Sequence, residues 1–180
     1  GYGEYEGRKW KLPYDVPANE YLNIGGKKTS TSRNWAIWLG DFLKDFPPDY
    51  LRYYLTSVAP ESRDSDFLWE DFQKRINDEL NDIIGNFVHR SITFAFNNFD
   101  GKIPEMNESL LDDDDREAIK SIEEIGKKVG DLITIFKMKD ALKEVVSFAK
   151  SCNRYFDKKE PWKLVKTDKV RAANTIYISL

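Results

Sequence analysis

Two stretches carry side chains whose types and spacing could do chemistry. The first is Lys27-Lys28-Thr29-Ser30-Thr31-Ser32-Arg33, directly behind the pair Gly25-Gly26. Two ammonium groups, four hydroxyls and a guanidinium after a double glycine can approach and wrap an anion with many donors, and phosphate is the natural ligand. It is not a Walker loop. The first glycine of that pattern would fall on Tyr21, and the Gly-Lys pair is followed by Lys28 rather than Ser or Thr. The other reading is a flexible surface loop. The second stretch runs from about Glu70 to Asn98, where Asn86, Arg90, Thr93 and Asn97 recur at steps of four, three and four. That spacing puts them on one helical face, either a polar reading edge or simply a solvated one.

Elements must hold these groups in place. Residues 1–28 are rich in Gly, Pro and aromatics and read as short strands and turns, with Tyr21-Leu22-Asn23-Ile24 a strand feeding the Gly-Gly turn. From Trp35 to Phe42-Leu43 the apolar residues take helical spacing until Pro47-Pro48. Asp49 is placed to cap a second helix over Tyr50 to Val58, closed by Pro60, and the aromatics here read as core. The charged stretch Glu61 to Asp66 is helix-poor and is the expected boundary. Beyond it, Phe72, Ile76, Leu80, Ile83 or Ile84, Phe87 and Phe94 make the buried stripe of the long helix, which Asp100-Gly101 ends. The block Asp112 to Asp115 suits the start of the next helix, whose core stripe runs from Ala118 to Phe136. A third helix runs from Ala141 to about Phe156, antiparallel in sequence order to the second. Pro161-Trp162 then breaks the pattern, and a fourth helix begins near Asp168 and is still running at Leu180. A chain that starts in a sheet-like fold and stops in a helix is expected to be a piece of a larger protein.

With 180 residues, 41% hydrophobic and 33% charged, the chain is globular, with no apolar run long enough for a membrane span. A net charge of -3 gives no global pull on a polyanion, so nucleic-acid binding would rest on local clusters. These are Lys27, Lys28 and Arg33, and then Lys158, Lys159, Lys163, Lys166, Lys169 and Arg171. A single Cys152 and a single His89 exclude an internal disulfide, leave little for a metal site, and favour a reducing, cytoplasmic compartment. The Asn107-Glu108-Ser109 glycosylation pattern is read as chance.

Taken together, Lys28-Thr29-Ser30-Thr31-Ser32, Ile84-Gly85-Asn86-Phe87-Val88-His89-Arg90 and Pro161-Trp162 resemble the archaeal and eukaryotic-type branch of class I methionyl-tRNA synthetases, in order along essentially the whole chain. The loop pattern is shared across class I, whereas its combination with Asn86, Arg90 and a Pro-Trp pair after the third helix is specific to the methionine enzyme. The resemblance implies a mostly α fold. Residues 1–62 would be the end of an α/β, Rossmann-like nucleotide-binding catalytic domain with the KMSKS-type loop, and 63–180 a helical anticodon-binding bundle truncated at its C-terminus.

The same resemblance implies that Lys28, Ser30 and Ser32 stabilise the triphosphate of ATP while methionine is activated, with Lys27, Lys28 and Thr31 binding the nucleotide. Negative charge builds on the departing pyrophosphate, and positioned cations and hydroxyls lower that barrier. Two positions depart from the motif: Thr29 replaces an apolar residue, and Thr31 stands where many members carry a second lysine, a charge that Lys27 or Arg33 could supply. Asn86, Arg90, Pro161 and Trp162 are placed by resemblance where the family reads the CAU anticodon of tRNA(Met). An Asn, an Arg fork and an exposed Trp suit splayed loop bases, stacking being worth about 1–3 kcal/mol per base. Lys158, Lys159 and Lys163 would meet phosphates; no role is carried onto His89. Partners and cofactors implied are tRNA(Met), ATP with magnesium (Mg), and methionine in the intact enzyme only. The HIGH-type signature, the methionine pocket and any zinc belong outside this stretch, so the segment alone is not expected to aminoacylate, and no metal ligands are assigned. Two alternatives stand: the equivalent piece of the cysteine, valine, leucine or isoleucine enzyme, or a helical protein-docking module with no RNA role, which would respond little to salt.

Overall fold

The structure, a computed structural model, describes residues 4, 5, 7–9, 13 and 15–180. Expectations for the other residues before 15 lie outside the described residues. Strands β1 (Glu4–Tyr5) and β2 (Arg8–Lys9) form an antiparallel pair. Strands β3 (Leu22–Ile24) and β4 (Lys27–Lys28) form a hairpin in which Ile24 opposes Lys27, leaving only Gly25 and Gly26 for the turn. Both turn residues have positive φ, 57° and 73°. A two-residue hairpin loop of that hand suits glycine at both positions. Strand β5 (Ser65–Phe67) adds parallel to the other side of β3. A parallel neighbour needs a crossover, and helices α1 (Leu39–Asp45) and α2 (Pro48–Ser57) provide it. The division expected at residue 62 precedes β5, which nonetheless completes this sheet.

The first core gathers Phe42, Tyr54, Val58, Phe67, Phe72 and Ile76, with Tyr54 and Phe72 edge to face at 5.4 Å. Two expectations need correction. Trp35 and Trp38 are not core but 40% and 45% exposed, because they precede α1 and their indole N–H groups donate to the Ile24 carbonyl and to Asn34 Oδ1, both at 2.9 Å. Asp49 does not cap α2: Pro48 takes the first helical position, where its missing N–H costs nothing, and Asp49 pairs with Arg52 instead.

The long helix is continuous from Trp69 to Asn98 but changes type twice: α3 (Trp69–Arg75), a π-helical segment (Ile76–Gly85) and α4 (Asn86–Asn98). The i→i+5 turns were not legible in the apolar spacing. They let one helix serve two cores, Phe72 and Ile76 facing the first, Phe87 and Phe94 the second. A Cβ at Gly85 would sit 3.3 Å from the Leu80 carbonyl, so a small residue suits the widened turn. Asp100 and Gly101 then take left-handed φ values of 54° and 69° and end the helix as expected.

Helices α5 (Asp113–Thr134) and α6 (Met138–Lys159) run antiparallel, joined at Phe136 with φ 61°. The acidic block does cap α5. Asp112 accepts from the Asp115 N–H and Asp115 from the Asp112 N–H, each at 3.1 Å, a reciprocal capping box. Helix α6 follows the direction of the long helix, with Asn153 donating to the Ile83 carbonyl, and Glu61 from the connecting stretch accepts the Lys139 N–H at 2.8 Å in its first turn. Pro161-Trp162 breaks α6 but also starts a helix that sequence reading missed, α7 (Pro161–Thr167), Pro161 being favoured at a first helical position. Helix α8 (Lys169–Ser179) begins with Asp168 accepting from the Arg171 N–H, and its residues Ala172 to Ile176 are buried. Asn174 is pinned by both amide atoms to the backbone of Asn107, whose own side chain accepts from Ser109, so that sequon residue does structural work. The second core is Ala95, Phe156 and Ile176, flanked by Phe87, Phe94 and Phe99. Among the described residues no helix is long and apolar enough to cross a membrane.

Candidate functional site

The Lys/Ser/Thr run is not one open loop. Lys27 and Lys28 lie in β4, Ser30 bridges to Trp35, and the chain turns over Thr31 to Asn34, with Asn34 at φ 52°. Successive strand residues face opposite sides. The Lys28 ammonium accordingly lies 4.5 Å from the Tyr21 ring centroid, while that of Lys27 lies 5.2 Å from the Trp35 ring. Ser30 and Ser32 approach with their hydroxyls 3.2 Å apart. Thr31 and Arg33 are exposed on the turn, Thr31 accepting the Asn34 N–H. The hairpin is anchored from β5, where Asp66 Oδ2 accepts the Gly26 N–H at 2.6 Å and the Phe67 carbonyl accepts that of Gly25 at 3.1 Å. Tyr21, Trp35 and Asp66 were not singled out from sequence. An aromatic before a strand and an acid three residues before Trp69 carry no local signal for such contacts.

At the other end, Arg90 and Trp162, 72 positions apart in the chain, are brought together. Arg90 Nη2 donates to Asp157 Oδ1 at 2.6 Å. Its guanidinium carbon lies 4.9 Å from the Phe156 ring centroid and 6.0 Å from that of Trp162. Phe156 is buried and meets Phe87 and Phe94 edge-on at 6.3 Å each, while Trp162 is tilted 45° to it and 39% exposed. Pro161 is buried beneath. Asn86 is exposed one turn before Arg90 and makes no side-chain hydrogen bond among the described residues, so its donor and acceptor are both free; Thr93 and Asn97 are exposed as well. Phe156 and Asp157, which seat Arg90, were missed because only the turn into α7 brings Trp162 over them.

The lysines expected to meet phosphate are paired within the chain. Lys158 bonds Asp114, Lys159 bonds both Asp112 and Asp115, and Lys163 bonds Glu160, each at 2.7 Å. Lys159 is nearly buried, its side chain 9% exposed. Burial pulls its ammonium down, but the two carboxylates outweigh that and hold its pKa above the ordinary value. Burial works against Asp112 too, yet Lys159 and the Asp115 N–H bring its carboxyl below the usual range. Tyr155, pushed up by burial and by donating to Asp115, completes the clasp. Cys152, its thiol raised by burial, is a packing residue.

Comparison with known proteins places this chain among the class I aminoacyl-tRNA synthetases. Residues 3–92 match the family described as tRNA synthetases class I (M), and the chain belongs to that family. Among its relatives, the methionine–tRNA ligase of Pyrococcus abyssi is 57% identical over 99% of this chain and 25% of its own length. That of Thermococcus kodakarensis is 54% identical over 99% and 24%; that of Methanobrevibacter smithii is 48% identical over 94% and 25%. The Mycobacterium tuberculosis methionyl-tRNA synthetase in complex with methionyl-adenylate superposes with a TM-score of 0.83 at 26% identity, covering 90% of this chain and 32% of that one. The chain thus spans about a quarter of the length of the relatives it matches.

Proposed function

We propose that the protein to which this chain belongs is a cytoplasmic methionine–tRNA ligase, which activates methionine with ATP and transfers it to tRNA(Met). In it the part up to residue 62 closes the catalytic domain and the part after it reads the anticodon. What supports the reading is Arg90, preset between Asp157 and Phe156 beside a half-exposed Trp162, in a chain that aligns with methionine–tRNA ligases along nearly its whole length. A splayed base could stack on the Trp162 ring while the Arg90 fork and the Asn86 amide meet its polar edges. At the sheet end, Lys28 leaves β4 on the side away from Lys27, and the Ser30 and Ser32 hydroxyls, 3.2 Å apart, follow it in the chain. By their place in the KMSKS-type motif, these three are the groups to neutralise charge on the leaving pyrophosphate, with magnesium carried in on the nucleotide.

The test is a titration of this 180-residue chain with a CAU anticodon stem-loop and with the same stem-loop changed at the first anticodon base. The CAU loop is expected to bind more tightly, and the margin to vanish in Trp162→Ala. Equal binding of both loops would remove the anticodon role.

A further inference from the structure

The register of the small sheet puts four side chains on one face. Asn23 of β3 pairs with Lys28 of β4 on one side and with Asp66 of β5 on the other, and directly opposed residues point the same way, so the three form a row. Tyr21, two residues before Asn23, shares that face, which is how the Lys28 ammonium comes to lie over its ring. Ile24, Lys27 and Phe67 make the next row and point the opposite way, Phe67 into the first core.

Asp66 serves the turn alone. Its Oδ2 accepts the Gly26 N–H at 2.6 Å, and its buried Oδ1 has no hydrogen-bond partner among the described residues. A hydrogen bond to an ionised carboxylate is about twice as strong as a neutral one. It is a firm hold on a turn whose two residues, Gly25 and Gly26 at positive φ, have wide backbone freedom of their own. Among the described residues no other side chain bonds either glycine N–H; that of Gly25 goes to the Phe67 carbonyl. Lys28 stands two residues beyond the held N–H, at the end of a two-residue strand. Where the turn goes, its ammonium goes.

We propose that Asp66 is a positioning residue for adenylate formation: by holding the Gly26 N–H it sets where the Lys28 ammonium stands, and it acts through Lys28. The proposal rests on reading this hairpin as the loop that meets ATP, and the two can fail separately. The test is single-turnover adenylate formation by the full-length protein, with ATP varied. Asp66→Glu keeps the charge and moves the acceptor by one carbon–carbon bond, about 1.5 Å. It is expected to lower the maximal rate about 10- to 100-fold while changing the half-saturating ATP concentration less than about threefold. Asp66→Asn keeps the acceptor in place and removes the charge, and should lose less than about threefold. In a Lys28→Ala background, Asp66→Glu should slow the step no further. Circular dichroism reports folding, and should D66E unfold, D66A against D66N carries the same comparison. A glutamate tolerated better than asparagine, a loss seen only as a raised half-saturating ATP concentration, or losses of D66E and K28A that multiply would each overturn the proposal. If Lys28→Ala itself left adenylate formation at the wild-type rate, the ATP-loop reading would fall instead.

Discussion

The two ends of the molecule hold their cations in opposite ways. At the sheet end, Lys27 and Lys28 rest on aromatic rings with no carboxylate partner among the described residues, an exposed contact worth about 0.5–1 kcal/mol. At the helical end Arg90 is fixed before any ligand arrives, by Asp157 on one side and Phe156 beneath. Groups that must meet charge as it develops gain from cations released at low cost. Groups that discriminate bases gain from geometry whose ordering cost is met in folding. The link between the ends is covalent and short: β5, which anchors the Gly25-Gly26 turn, leads straight into the long helix that carries Asn86 and Arg90.

The largest effect should come at the sheet end. In the full-length protein, Lys28→Ala is expected to slow adenylate formation about 10²- to 10³-fold in pre-steady-state kinetics. Lys27→Ala should cost much less, because Lys27 leaves β4 on the opposite side. Equal losses would mean the hairpin rearranges enough to bring both to the nucleotide. At the helical end Lys159→Ala leaves Asp115, with a side chain only 3% exposed, without its cation, and about 3 kcal/mol should be lost in urea unfolding. The clasp also sets a pH window. Asp112 has a depressed pKa, so its contribution is present above the usual carboxylate pKa of about 4 and is lost as pH falls through the folded value. Lys159 has a raised pKa, so its contribution holds below about 10.4 and is lost as pH rises through the folded value. Melting temperatures of the wild type should drop more steeply at both extremes than those of Lys159→Ala, which keeps only the Asp115 N–H on Asp112.

How far the sequence could be read depended on how local each determinant is. The Gly25-Gly26 turn, the Asp112 cap and the Asp100-Gly101 stop are written within a few residues, and each is where the pattern placed it. The π-helical segment is not. Nothing in Ile76 to Gly85 demands i→i+5 bonding; the need to face two cores arises only in the folded chain. Charge was misread for a similar reason. Lys158 and Lys159 look like free cations, but their partners in the acidic block are 44 and 47 positions away. Resemblance pointed to Arg90 and Trp162 separately, and the fold brings them together on Phe156, a shared seat that no local pattern announces.

Arg90 offers a smaller test of the contrast. Asp157→Asn keeps the size of the partner and removes its charge, so the fork is held less firmly; the preference for the CAU loop is expected to fall about fivefold, roughly 1 kcal/mol. An unchanged preference would mean that stacking on Phe156 alone orients Arg90.

The smallest effect should differ in sign between the ends. At Gly26, φ 73° with 3.9 Å of room to Asp66 Oδ2, a methyl group fits but the backbone resists. Gly26→Ala should therefore cost about 1 kcal/mol. Gly126, inside α5 with nothing within 4 Å of a built Cβ, presents the opposite case: alanine there restricts the unfolded chain and favours the helix, a gain of about 0.5–1 kcal/mol. Differential scanning calorimetry should show melting shifts of a few degrees in opposite directions. If Gly26→Ala were neutral, the hairpin would not be held in its positive-φ turn, and the fixed side-to-side separation of Lys27 from Lys28 would lose its structural basis.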